Sequence, residues 1–216
     1  MMIITEGTIG VGKSTLAKLL GEHFGTDVFY ERVEGNEILP LFYTMTEEEL
    51  KRERIPFLLQ LDFLNSRFSD IKRALVHNNN ILDRSLYADM MFAECNNKLG
   101  RISDREMKIY RNLALNMLEE IQELPKKAPD LLIYLTADFD TILDRVQQRG
   151  RGYELDDDLK DYYKMIYDRY KTWIEEYNHS PKLLIDTTDL DLVNNEEHKK
   201  YVLDLVENKL KEVRGE

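Results

Sequence analysis

The sequence has one cysteine, Cys95, so no disulfide framework exists and a reducing compartment is the expected setting. Proline (5) and glycine (10) are sparse among 216 residues and nowhere gather, which excludes collagen-like and low-complexity chains and a flexible linker. No apolar run approaches the roughly 20 residues of a membrane span. Residues 1–4 lead straight into a glycine-rich segment, so no signal peptide is expected. Positive charge is scarce too: 30 Lys and Arg face 41 Asp and Glu, a net charge of −11. Such a surface repels nucleic acid and anionic membranes alike, so neither is expected as a partner. An anionic small molecule must then be met by a local positive cluster. The four histidines (His23, His77, His179 and His198) are scattered, without metal-ligand spacing. A cytoplasmic protein is the expectation.

What is present fits one domain over residues 1–216. An apolar fraction of 43% with 33% charged residues suits a chain long enough to bury a sizeable core. Short apolar runs at 2–5, 28–30, 80–83, 131–136 and 182–186 alternate with long amphipathic segments. That alternation predicts an α/β fold, a parallel five-stranded sheet flanked by helices. Leu61, Leu64, Phe68, Ile71 and Leu75 step by three and four after Pro56. A capping-box spacing at Ser103–Glu106 opens a second helix carrying Met107, Tyr110, Ala114, Met117 and Ile121 on one face. Tyr163, Ile166, Tyr170, Trp173 and Tyr177 mark a third, and Val202, Leu205, Val206 and Leu210 the last. All read as core, their tyrosines as packing.

The segment Gly7-Thr8-Ile9-Gly10-Val11-Gly12-Lys13-Ser14, followed by Thr15, has the spacing G-x-x-x-x-G-K-[ST] between a predicted strand and a predicted helix. Glycines let the backbone bend tightly and turn its N–H groups on phosphate oxygens at a helix N-terminus. Lys13 would reach the β- and γ-phosphates of ATP, and Ser14 would hold Mg²⁺.

Three further features accompany this loop: Glu31-Arg32-Val33-Glu34 after the second strand, Asp83-Arg84-Ser85 after the third, and a basic cluster of Arg145, Arg149 and Arg151. Together with Leu39–Tyr43 (read as Leu-Pro-Leu-Phe-Tyr) and Phe-Leu-Leu-Gln ending at Gln60, the chain resembles the deoxynucleoside kinase family over nearly its whole length. Within the family it resembles the bacterial deoxyadenosine and deoxyguanosine kinase branch. The resemblance implies a P-loop kinase fold with an arginine-rich lid at about 145–158, a homodimer, and transfer of the γ-phosphate of ATP to a deoxynucleoside 5′-hydroxyl for nucleotide salvage. It implies Glu31 as the base, Arg84 beside the 5′-oxygen, and Asp83 with Ser14 on Mg²⁺. Arg145, Arg149 and Arg151 become the phosphate clamp, and Asp186 part of the loop around the donor adenine. Gln60, Arg67 and Asp89 would read the acceptor base, and Tyr43 and Glu154 the sugar 3′-hydroxyl. Arg67 with Asp89 marks members that accept purines or deoxycytidine.

Three departures stand out. Arg32 replaces the family proline, residues 44–54 form a longer segment than the bacterial enzymes carry, and Leu155-Asp156-Asp157-Asp158 is shorter and more acidic than their lid. Two rival readings share the motifs. A thymidylate-kinase-like monophosphate kinase shares the loop, an Asp-Arg motif and a basic lid, but lacks the Gln60/Arg67/Asp89 set. A catalytically silent P-loop subunit has no physical need of Lys13, Ser14, Glu31, Asp83 and Arg84 together.

Overall fold

Strand β1 (Met2–Glu6) is buried at every position, as an apolar run must be when both faces of its sheet are covered. In the computed structural model residues 1–76, 79–123, 129–156 and 159–215 are described; His77, Asp157, Asp158 and the side chain of Ile121 lie outside the described residues. β1 pairs in parallel with β3 (Asn80–Asp83) and β4 (Leu131–Thr136), with Ile3 opposite Ile81 and Leu131. β2 (Asp27–Phe29) and β5 (Lys182–Asp186) flank them, giving the parallel order β2-β3-β1-β4-β5. The expected α/β architecture is therefore observed. β2 ends one residue early, so Tyr30 belongs to the coil leading to Glu31.

Helix α1 (Lys13–Phe24) follows the phosphate loop, as the loop spacing predicts. After β2 come α2 (Ile38–Thr44), α3 (Glu47–Glu53) and α4 (Ile55–Ala74). The long 44–54 segment thus contains a helix of its own, with a capping box: Glu49 N–H bonds Thr46 Oγ1 at 3.4 Å and Thr46 N–H bonds Glu49 at 3.0 Å. Arg54, at φ 59, turns the chain into α4, whose first turn takes Pro56 where no N–H bond is lost.

α5 (Leu86–Lys98) and α6 (Asp104–Glu123) follow β3. Ser103 and Glu106 exchange the predicted capping bonds at 2.8 and 3.4 Å. α7 (Phe139–Arg149), a 3₁₀ turn (Gly152–Glu154) and α8 (Lys160–Glu176) follow β4, and α9 (Glu196–Arg214) follows β5. The predicted stripes are core: Leu64, Phe68 and Ile71 are buried, as are Tyr163, Ile166, Tyr170, Trp173 and Tyr177, and Val202, Val206 and Leu210. No helix among the described residues is long and apolar enough to cross a membrane.

Candidate active site

Parallel strands put all their carboxyl ends on one edge, and open α/β sheets bind ligands there. Here that edge carries Glu6, Asp83 and Asp186, and the phosphate loop leaves β1 directly. Gly7 (φ 143) and Gly12 (φ 103) adopt backbone angles that favour glycine. A Cβ on Gly7 would collide with the carbonyl oxygen of Leu135. Gly7→Ala is therefore expected to displace the loop from β4 and abolish nucleotide binding, read by titration with a fluorescent ATP analogue; wild-type affinity would refute this.

A cavity of about 730 Å³ opens above the strand ends. Ile9, Gly10, Val11, Gly12, Lys13, Ser14 and Thr15 line one wall. Gly7 and Thr8 sit beneath it: Gly7 N–H bonds Glu6 Oε1 at 3.1 Å, and the Thr8 carbonyl accepts from Lys13 Nζ at 2.9 Å. Burial, aided by neighbouring Arg84, pulls the Lys13 ammonium down to about 8, against the carboxylates of Asp83, Glu31 and Glu6. Ser14 Oγ donates to Asp83 Oδ2, while Asp83 Oδ1 is buried with no hydrogen-bond partner among the described residues. A hydroxyl and a half-satisfied carboxylate beside a phosphate loop suit a hard cation such as Mg²⁺, which accepts few protein oxygens and takes the rest from water and phosphate. No group of three candidate metal ligands occurs among the described residues.

Opposite the loop, Glu31 projects from the end of β2 into two guanidinium groups. Arg84 Nε lies 2.8 Å from its Oε1, and Arg67 Nη2 donates to the same oxygen at 3.0 Å. Burial alone would raise the Glu31 carboxyl, but Arg84, Arg67 and Lys13 hold it down to about 2. Arg67 also donates from Nε to Asp89 Oδ2 at 2.7 Å and from Nη1 to the Asp83 carbonyl at 3.3 Å. It stands behind the cavity wall, while Gln60 and Asp89 line the cavity itself. Phe63 and Phe92 line it beside them, flat apolar surfaces suited to an aromatic ring.

Arg32 has a partner the resemblance does not supply. Its Nε bonds Asp70 Oδ2 at 3.2 Å and its Nη2 bonds Oδ1, tying the strand end to α4 one turn beyond Arg67. Arg32 is half exposed, so Arg32→Ala is expected to cost about 1 kcal/mol or less, read from the urea midpoint. A loss several times larger would mean that the tether carries more of the fold than this geometry provides.

On α7, Arg145 and Arg149 leave one helix for different partners. Arg145 bonds the carbonyls of Val11 (3.3 Å), Thr187 (2.6 Å) and Leu190 (3.1 Å), and Thr187 Oγ1 at 2.9 Å. Arg149 pairs with Glu154, and Arg151 Nη1 approaches Glu154 Oε1 at 3.4 Å. Tyr43 stacks on Tyr153 with ring centroids 5.7 Å apart, and Tyr43, Glu154, Arg149 and Arg151 all line the cavity. Asp186 instead closes a local turn, accepting from Thr188 N–H at 2.8 Å and Thr188 Oγ1 at 2.7 Å. The segment beyond it, with Thr187 and residues 190–194, forms that end of the cavity. The sequence reading marked the start of this loop at Asp186 but did not reach residues 190–194, because polar turns after strands are common. It also missed Glu6, whose signal was a carboxylate at the end of a buried strand.

A phosphate loop after the central strand of a parallel sheet in this order defines the P-loop kinase fold. Residues 3–211 match the deoxynucleoside kinase family model. The chain is 44% identical to a deoxyguanosine kinase of Lactobacillus johnsonii, covering 98% of this chain and 93% of that one. It is 41% identical to a deoxyadenosine kinase of Lactobacillus acidophilus, covering 98% and 97%. The solved structure of M. mycoides deoxyadenosine kinase with bound dCTP superposes with a TM-score of 0.78 at 25% identity, covering 96% of this chain and all of that one. The chain belongs to the deoxynucleoside kinase family, and it is a deoxynucleoside kinase.

Proposed function

We propose that the protein phosphorylates the 5′-hydroxyl of a purine deoxynucleoside with ATP, as one cytoplasmic kinase domain over residues 1–216 that pairs as a homodimer. The observation that carries the reading is Glu31, ionised between Arg84 and Arg67 across one cavity from Lys13 and the phosphate loop. Phosphoryl transfer has a loose transition state, so catalysis is mostly positioning and charge stabilisation. Glu31 orients the acceptor hydroxyl and takes its proton as the oxygen–phosphorus bond forms and the bond to ADP breaks. A carboxyl held at about 2 is a weak base before transfer and accepts the proton late. Lys13 and Arg84 meet the developing charge on the γ-phosphoryl oxygens, and Arg149 and Arg151 close on it from the lid. Arg145 braces the phosphate loop against the donor-base segment, through its bonds to Val11, Thr187 and Leu190. Ser14 and Asp83 are the residues that would hold Mg²⁺, which when bound would supply positive charge against the donor phosphates.

On the acceptor side Gln60 and Asp89 read the base edge, Phe63 and Phe92 pack its ring, and Tyr43 and Glu154 hold the 3′-hydroxyl. The curated relatives named above act on deoxyguanosine and deoxyadenosine, which supports a purine. Exposed Ile109 and Leu113, one turn apart on α6, offer an apolar strip for the dimer. The deciding experiment offers the four deoxynucleosides and their monophosphates at saturating Mg-ATP. Deoxyguanosine or deoxyadenosine should be consumed fastest. Consumption of thymidine monophosphate with no deoxynucleoside turnover would overturn the reading.

A further inference from the structure

We propose that Glu6 and Tyr170 are positioning residues for phosphoryl transfer, acting through Arg84; this deepens the reading of Arg84 given above. Glu6 ends β1 and is fully buried, where a carboxylate persists only if its oxygens are paired. Its Oε1 accepts from Gly7 N–H at 3.1 Å and Tyr170 OH at 2.8 Å. Its Oε2 accepts from Ser85 N–H at 2.9 Å and Ser85 Oγ at 2.8 Å. One side chain therefore fastens the root of the phosphate loop, the residue after Arg84, and α8.

Arg84 is held at both its backbone and its head. Its φ of 86 lies in the left-handed region, which a long side chain adopts only where its surroundings impose it. Its N–H bonds the Thr5 carbonyl at 2.9 Å, and Ser85 beyond it is pinned to Glu6. At the guanidinium, Nη1 donates to Tyr170 OH at 2.7 Å. The polarity of this contact is dictated by chemistry. A guanidinium can only donate, so the hydroxyl oxygen accepts from Arg84 and its own proton goes to Glu6 Oε1. Arg84 Nη1 itself lies 3.9 Å from Glu6 Oε1, and the guanidinium carbon sits 4.7 Å over the Phe92 ring. Tyr170 is thus the hinge between the buried carboxylate and the guanidinium that faces Glu31.

A buried polar network could serve stability alone, and kinetics separates the two roles. Tyr170→Phe removes one oxygen at nearly constant volume. It is expected to lower kcat about tenfold while leaving both KM values within about threefold, because misplacing a charged group acts on the transition state more than on binding. Arg84→Lys keeps the charge and removes the Nη1 donor. If Tyr170 acts through Arg84, adding Tyr170→Phe to Arg84→Lys changes kcat by less than about twofold, a non-additive cycle. Glu6→Gln, which keeps the volume and removes the charge, gives a second route to the same cycle with the same expectation. The proposal is overturned if Tyr170→Phe lowers only the melting temperature, or if its kcat loss is the same in both backgrounds. An Arg84→Lys enzyme with wild-type kcat would sink the reading of Arg84 itself, and the proposal with it.

Discussion

Glu31→Gln is expected to lower kcat by about 10²- to 10⁴-fold, the usual range for removing a positioned acid–base group. The amide keeps the shape but cannot take the hydroxyl proton, and it leaves Arg84 and Arg67 facing each other with less negative charge between them. Folding should suffer too, by about 1.5–3 kcal/mol, the worth of hydrogen bonds to charged groups. Its pH dependence has a definite sign. The carboxyl is held at about 2 in the fold, below its ordinary value of about 4.3. Its stabilising contribution is therefore complete above the ordinary value and lost as pH falls toward 2. Acid titration from pH 5 to 2 by circular dichroism should show a shallower loss of stability for Glu31→Gln than for the wild type. For the same reason Glu31 gives no acidic limb to kcat/KM between pH 5 and 7. Wild-type kcat in the variant would remove Glu31 from the chemistry.

The second large effect concerns Arg67 and Asp89, an ion pair with both partners buried and Nε 2.7 Å from Oδ2. Asp89→Ala alone strands a buried guanidinium with only Glu31 as counter-charge and is expected to cost about 3–5 kcal/mol. Arg67→Met with Asp89→Ala removes both charges together, so the double variant should unfold at higher urea than the single one. Its acceptor profile should change far more than its stability. A pocket built to hydrogen-bond a base edge rejects bases that leave its groups unpaired, so losing those groups should cut the preference for purine deoxynucleosides over thymidine by about 10² or more. Since Arg67 also touches Glu31, kcat should fall for every acceptor; the ratio of acceptors is the informative quantity. An unchanged ratio would show that the pair is structural only.

The sequence carried the architecture and the loop because both are written in local patterns. Five short apolar runs at strand spacing and four apolar stripes at helical spacing were legible without any contact, and the glycine-lysine-serine spacing specifies its own backbone. The family motifs picked out Glu31, Arg84, Gln60 and Asp89, which line one cavity, and Asp83, which meets Ser14 beside it. They did not show that Arg67 would stand behind the cavity wall with all three guanidinium nitrogens engaged. The resemblance grouped Arg145 and Arg149 in one phosphate clamp, yet Arg145 turns to the carbonyls of Val11, Thr187 and Leu190 while Arg149 meets Glu154. Asp186 was singled out, and the segment just past it forms the wall instead.

By itself, then, the sequence determined a parallel α/β chain that grips phosphate, because periodicity and loop chemistry act between residues close along the chain. Only the tertiary structure decided which charges meet. Glu6 and Tyr170 are 164 positions apart, one reading as the end of an apolar run and the other as a packing tyrosine. They share a proton beside Arg84 because the parallel sheet brings β1 and β3 side by side under α8. Long-range pairing of this kind follows from topology, and no local pattern encodes it.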